Sequence, residues 1–285
     1  MTSKVLIKTM LRRVLGMRLY EAFMLWSRLG YIPHLRHPRS INEKTAHRKL
    51  CHWKEIPPEL ADKYAVRDFV AKTIGPQYLN ELYGVYDNAD AIDFAKLPES
   101  FVIKATHGSA LNLIVKDRQG FDEKAARATC REFLKTKYGF LTNEPYYDLI
   151  PPRLVAERFL SDRNHPEIPD YKFYVFHGRA EYVQVDQNRH SRRHTCRVYD
   201  RNWGRMVYPF RLPNPDPVEK PRLLEKMLPL AEKLAQGWDF VRIDLYSPNQ
   251  ESIVFGEITM TPAAGWQKFT DKAFDIEIGS YWKMA

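Results

Sequence analysis

Several segments of this chain set charged residues where a strand would otherwise be apolar. FVIKATHGS, residues 101–109, carries Lys104 on a β-branched run and follows it with His107, Gly108 and Ser109. A second apolar run, LNLIVK at 111–116, begins with Asn112 near its start. A lysine on a strand beside a glycine-bearing turn is a phosphate-binding arrangement, because the turn exposes backbone N–H donors while the ammonium supplies a point charge. Taken alone, the segment reads equally as an ordinary hairpin whose lysine stem covers apolar surface.

VRIDLY at 241–246 and VFGEITMTPAAG at 254–265 place Asp244 and Glu257 near the centres of two strands otherwise made for burial. Burying an unpaired carboxylate costs several kcal/mol, so each needs a partner. Magnesium is a natural one: it is hard, prefers oxygen, and commonly takes one or two carboxylates plus substrate phosphates. In an antiparallel hairpin, a register pairing Arg242 with Glu257 also pairs Asp244 with Phe255, which puts Arg242, Asp244 and Glu257 on one face. The alternative register separates the faces, and a structural ion pair between Arg242 and Glu257 is the plainer use of these charges.

Glu157 in RLVAERFL (153–160) and Lys172 in DYKFYVF (170–176) each interrupt an apolar strand. The basic segment NRHSRRHTCR, 188–197, offers Arg189, Arg192, Arg193 and Arg197 to an anion, since guanidinium groups can fork onto carboxylates. Zinc at His190, His194 and Cys196 lacks a fourth ligand in a fitting position.

The elements that must position these residues follow from periodicity. Residues 1 to about 75 read as helices broken by loops, including a basic amphipathic helix with Lys4, Lys8 and Arg12 beside Val5, Leu11, Leu15, Leu19 and Phe23. That helix is expected to dock on the protein's own core, with contact to an anionic membrane surface as the alternative. A segment from Asp62 to Thr73, with Asp62 as its cap and Gly75–Pro76 as its stop, closes this region. Short strands and a helix from Asp122 form an α+β lobe over 76–156. A second lobe, 157–285, has strands at 171–176 and 179–186 joined through His177 and Gly178. It continues with loops at 188–197 and 214–217, a helix from Leu223 to Leu234 that Pro229 should kink, and strands at 239–246 and 252–259.

At 285 residues, 44% hydrophobic and 28% charged, the chain is long enough for a substantial core and needs no disulfide staples. No apolar run approaches the roughly 20 residues that span a bilayer, and no signal-peptide pattern opens the sequence. Cys51, Cys130 and Cys196 form neither a paired framework nor a CxxC site, which fits a reducing, cytoplasmic setting. The net charge of +9 points to anionic partners without choosing among nucleotides, acidic sugars, nucleic acid and lipid.

FVIKATHGS, PPRLVAERFL, DYKFYVFHG, VRIDLY and FGEITMTPAAG stand in an order that resembles the ATP-grasp superfamily, and within it the TupA-like group associated with capsular polysaccharide assembly. The resemblance covers roughly residues 76 to 270 and implies an ATP-grasp fold, two α+β lobes clasping ATP. It implies Lys104 and Lys172 as phosphate-contacting lysines, with Lys172 and Arg242 serving catalysis. The turn from His107 to Asn112, including Gly108 and Ser109, matches the loop over the phosphates, and Glu157 the adenine side. Asp244 and Glu257 match the metal carboxylates. Thr259 stands where the superfamily usually has asparagine as a further metal contact. The activity so implied is amide-bond formation through an acylphosphate, using ATP and Mg2+. Its partners would be an acidic saccharide or other carboxylate acceptor, held by Arg189, Arg192 and Arg193, and an amino acid or amine donor.

Other classes fit less. A kinase-like phosphotransferase would share VIK at 102–104, but its glycine-rich loop, HRD and DFG motifs are absent from the sequence. A glycosyltransferase lacks its common DxD motif here, and a nucleic-acid binder has no use for carboxylates on buried strands.

Overall fold

The computed structural model describes residues 3–163, 165, 167–188, 194–204 and 218–284. The chain forms two units, Ile56–Leu160 and the combination of Met1–Glu55 with Ser161–Ala285. Each contains one antiparallel sheet, and the class is α+β as expected. No helix among the described residues is long and apolar enough to cross a membrane.

Helix α1 (Ser3–Leu29) is broken at Gly16, whose φ of 68° and ψ of 177° are not helical. Glycine has no Cβ to forbid this geometry. The break turns Tyr20, Met24 and Leu25 into the core, while Leu19 and Phe23, expected to face inward, are exposed. Helix α2 (Ile41–His47) starts on a capping box in which Ser40 accepts from the Glu43 N–H and Glu43 reaches back to the Ser40 N–H.

The unit of residues 56–160 begins with α3 (Pro58–Ala61) and α4 (Val66–Thr73). Asp62 does not cap α4 itself; its Oδ1 accepts from the N–H groups of Tyr64 and Ala65, at 2.8 and 3.2 Å, and so shapes the turn leading in. Gly75, at φ 116°, and Pro76 end the helical run as expected. There follow β1 (Leu82–Tyr86), β2 (Phe101–Ala105), β3 (Asn112–Val115), α5 (Glu123–Lys135), α6 (Tyr138–Thr142) and β4 (Leu154–Arg158), in the sheet order β1-β4-β2-β3. Asp122 caps α5 by accepting from the Ala125 N–H at 3.0 Å. Ala126 and Cys130 on that helix pack on Phe101, Ile103, Leu154 and Ala156.

The expected boundary of this unit is corrected. LYGVY forms a strand although Gly84 interrupts its alternation, and the register shifts there. RLVAERFL does not open the second lobe: β4 pairs with both β1 and β2. This unit therefore runs from 56 to 160 rather than from 76 to 156, and the first 55 residues join the other unit.

The other unit continues with β5 (Asp170–Phe176), β6 (Arg179–Gln187), β7 (Thr195–Asp200), α7 (Leu224–Leu234), β8 (Phe240–Tyr246), β9 (Val254–Thr259) and α8 (Lys272–Tyr281). Its sheet order is β7-β6-β5-β8-β9. His177 and Gly178, both at positive φ, make the tight hairpin turn that the right-handed strand twist prefers. Thr195–Arg197, expected in a loop, lie instead in β7, where Cys196 and Arg197 are buried. Helix α7 runs through Pro229 and packs Met227, Leu228 and Ala231 on one sheet side. Such buried side chains contribute about 1.5–3 kcal/mol each for the larger ones. On the opposite side, Ile41, Phe274, Ile278 and Trp282 cover Tyr174, Phe176 and Phe240.

Candidate functional site

In the unit of residues 56–160, Lys104 stands opposite Asn112 on β3 and Val155 on β4. Its Nζ donates to Glu157 Oε2 at 2.8 Å, and Arg67 approaches Glu157 Oε1 at 3.5 Å. Burial alone would raise the Glu157 carboxyl, but the Lys104 ammonium and then Arg67 outweigh it and hold its pKa below the ordinary value. Lys104 keeps partial access to solvent, and Asn112 and Ile114 beside it are exposed, so this sheet face is open around the ammonium.

The turn after β2 is pinned from outside the hairpin. The Thr106 N–H donates to Arg153 O at 2.9 Å, Lys63 Nζ donates to Gly108 O, and Arg153 pairs with Asp62 at 2.7 Å. Gly108 packs so tightly that an added Cβ would lie 2.8 Å from Tyr138 Cγ. His107 is turned into the core, where burial lowers its pKa, partly countered by the Phe133 carbonyl. Of the expected phosphate-side turn, Ala110 and Asn112 are exposed and Ser109 and Leu111 are half-buried.

In the other unit, strand registers put Gln184, Lys172, Asp244 and Glu257 in one row across β6, β5, β8 and β9. The neighbouring row is Tyr182, Tyr174, Arg242 and Thr259. The β8–β9 register thus differs from the expected one by two residues, with Arg242 opposite Thr259 and Asp244 opposite Glu257. A shift of two preserves the face, so Arg242, Asp244, Glu257 and Thr259 still stand together. The extra residue that accommodates the turn of the ladder is Gly256, whose position a Cβ would fill to within 2.9 Å of the Tyr246 ring.

Charge is dense on this face. Arg242 donates Nε to Asp244 Oδ1 at 2.6 Å and Nη2 to Asp244 Oδ2 at 2.7 Å, and its Nη2 also reaches Glu257 Oε1 at 2.6 Å and Thr259 Oγ1 at 3.1 Å. Lys172, 3% exposed, pairs with Asp170 at 3.1 Å and with Asp186. Asp186 also accepts from Gln184 at 2.9 Å and holds His194 Nε2 at 2.9 Å. Burial, with Asp170 and Glu257 adding to it against the pull of Arg242, pushes Asp244 up to about 8. For Arg242 burial works downward, but Asp244 and Glu257 dominate and keep it firmly charged.

This donor set fits a divalent cation in charge and kind. Among the described residues Asp244 and Glu257 stand opposite each other on β8 and β9 and offer carboxylate oxygens of the kind a hard divalent cation takes. No three His, Cys, Asp or Glu side chains gather as a metal cage among the described residues. Magnesium requires none, since nucleotide phosphates complete its oxygen shell.

The structure thus groups Lys172, Arg242, Asp244, Glu257 and Thr259 in one unit and Lys104, Asn112 and Glu157 in the other. Arg189, Arg192 and Arg193 lie outside the described residues, as does His190. Sequence reasoning missed Arg67, Asp170, Gln184 and Asp186. The spacing of Asp170 to Lys172 and of Gln184 to Asp186, two residues on a strand, was the available signal.

Among solved structures, the chain is similar to a D-alanine–D-alanine ligase from Bacillus anthracis complexed with ATP, at 12% identity and TM-score 0.43, over 71% of this chain and 55% of that one. It is also similar to a D-alanine–D-alanine ligase from Helicobacter pylori, at 14% identity and TM-score 0.43, over 79% and 61% respectively. An L-amino acid ligase from Bacillus licheniformis matches at 13% identity and TM-score 0.43, over 82% of this chain and 44% of that one. The chain therefore spans only about half to three fifths of these proteins. No curated protein sequence matches it. The family profile described as TupA-like ATPgrasp matches residues 43–283, which include every charged residue of both sheet faces described above, and the chain belongs to that family.

Proposed function

We propose that this chain is an ATP- and magnesium-dependent ligase that joins a carboxylate to an amine. The observation that carries this reading is the row Gln184, Lys172, Asp244 and Glu257 with Arg242 beside it, a set of cations and carboxylates on one face. Family membership supports the choice of ATP as the phosphoryl donor.

In this reading a carboxylate oxygen of the acceptor attacks the γ-phosphorus of ATP, giving an acylphosphate and ADP. The amine nitrogen then attacks the acyl carbon. A C–N bond forms as the C–O bond to phosphate breaks, inorganic phosphate leaves, and the amine proton passes to solvent. Lys104 and Lys172 hold phosphate oxygens, and Arg242 neutralises charge on the transferring group. Asp244 and Glu257, with the Thr259 hydroxyl, would hold magnesium, which when bound would supply further charge neutralisation there. Glu157 stands on the adenine side, and the turn through Gly108, Ser109 and Asn112 covers the phosphates and keeps water from the acylphosphate.

The acceptor in this proposal is an acidic saccharide, a uronic acid or glutamyl carboxylate of a capsular or cell-surface polymer, with Arg189, Arg192 and Arg193 holding it. An amino acid supplies the amine, and the reaction takes place in the cytoplasm, where ATP is made available. The test is ADP release with ATP and magnesium over a panel of uronic acids and glutamyl compounds, each combined with amino acids. Release that needs both an acceptor and an amine is expected. No release with any pair, and no thermal stabilisation of folded protein by ATP with magnesium, would overturn the proposal.

A further inference from the structure

Helix α1 shows to solvent the side chains a helix ordinarily hides. Leu6, Ile7, Met10 and Val14 before the Gly16 break, and Leu19, Phe23 and Trp26 after it, are between 37% and 82% exposed. Each group keeps helical spacing, 6-10-14 and 19-23-26, so each is a stripe. Apolar stripes of this kind on a water-facing surface mark a contact face. The helix is held to its unit by other residues: Tyr20 and Leu25 are fully buried, and Glu21 pairs with Lys49 at 2.8 Å and accepts from Trp266 Nε1 at 2.9 Å.

The charges flanking the stripes identify the partner's chemistry. Glu21 is the single acidic residue of α1, and it is buried and paired. The exposed charges next to the stripes are Arg13, beside Val14, and Arg18, beside Leu19. A second copy of the chain laid on this face would bring arginines against arginines. An anionic lipid surface instead offers acyl chains to Met10, Val14, Leu19 and Trp26 and headgroup charge to the arginines, which is how interfacial helices seat, about 5–10 Å deep.

We infer that α1 is a monolayer-seated anchor that docks this protein on an anionic lipid surface. The inference stands apart from the ligase reading, since lipid binding is read without turnover. The experiment is co-sedimentation of the full chain with phosphatidylcholine vesicles containing or lacking phosphatidylglycerol. Wild type is expected to bind the anionic vesicles and to stay in solution with neutral ones, and binding is expected to fall as salt rises. Met10→Glu/Val14→Glu, which removes apolar insertion, and Arg13→Glu/Arg18→Glu, which reverses the charge, should each weaken binding by at least about tenfold. These positions are exposed, so melting temperatures should match wild type; Val14→Ser with Met10→Ser serves if the charged pair does not fold. Wild type remaining in solution with anionic vesicles at low salt would overturn the inference. So would equal binding to neutral vesicles, folded variants that bind as wild type, or a wild-type dimer that Val14→Glu converts to a monomer.

Discussion

Arg242 grips Asp244 with two parallel hydrogen bonds, 2.6 and 2.7 Å long, although the two residues lie only two positions apart on the same strand. The same Nη2 that holds Asp244 Oδ2 also reaches Glu257 Oε1 across the hairpin at 2.6 Å. Ion pair and metal carboxylates, opposed as alternatives in the sequence, here involve the same three side chains. The arginine keeps two carboxylates together that would otherwise repel, and a cation shared with the substrate can redistribute those contacts.

Glu257→Gln should therefore separate catalysis from stability. Arg242 retains its fork on Asp244 in this variant, and Glu257 is partly solvated, so the expected loss of stability is about 1 kcal/mol or less. ADP release should fall by at least about a hundredfold, the scale of one preorganised electrostatic contact. A large drop in melting temperature with normal turnover per folded molecule would mean that Glu257 serves only the ion pair.

Lys104 carries a load that a strand lysine facing solvent would not, because Glu157 beneath it is 6% exposed. Lys104→Ala should cost about 1–3 kcal/mol, less than a fully buried pair because Arg67 remains nearby. The Glu157 carboxyl is depressed below its ordinary 4.5, so its contribution is complete above that value and is lost as pH falls through the lower folded value. Wild type should thus lose stability on acidification below about pH 4.5 more steeply than Glu157→Gln, as melting temperatures against pH would measure. Parallel curves would remove Glu157 from the acid limb.

The buried strands and their charged interruptions were legible from sequence, since Lys104, Lys172, Asp244 and Glu257 break apolar runs that have no other use for charge. Register was legible only in parity: alternation told which residues share a face, whereas half of the two-residue offset comes from the extra residue Gly256 and the rest from the turn before it, which no periodicity reveals. Strand β1 was hidden because Gly84 and half-buried neighbours give no two-residue signal. Assignment of β4 to the first sheet rests on pairing with β2, a long-range contact that local pattern does not encode. Likewise Thr195–Asp200 was lost under the basic composition of the segment before it.

The thiols offer a check on burial. Cys51 is exposed, while burial pushes Cys130 up to about 11 and Cys196 higher still. Iodoacetamide should modify Cys51 in the native protein, with the other two reacting only on unfolding, because the thiolate is the nucleophile. Mass spectrometry counts the adducts, and more than one rapid adduct in folded protein would place Cys130 or Cys196 at an accessible surface.

Lys172 is the residue whose double duty is most exposed to experiment. It is buried, and its ammonium answers Asp170 and Asp186 while lying opposite Asp244 in the row. Lys172→Ala should consequently lower stability by about 3–5 kcal/mol, the cost of leaving buried carboxylates short of their cation, and any loss of ATP binding would be confounded with unfolding. Pairing Lys172→Met with Asp186→Asn removes charges of both signs and keeps volume, so much of the stability should return. A phosphate-holding lysine and a structural one then predict different affinities. If Lys172 contacts the nucleotide, the stable double variant should bind ATP at least about tenfold more weakly than wild type by calorimetry, while Asp186→Asn alone, which retains the ammonium, should bind nearly as well as wild type. A folded double variant with wild-type affinity would make Lys172 a structural residue and leave phosphate binding to Lys104 and Arg242.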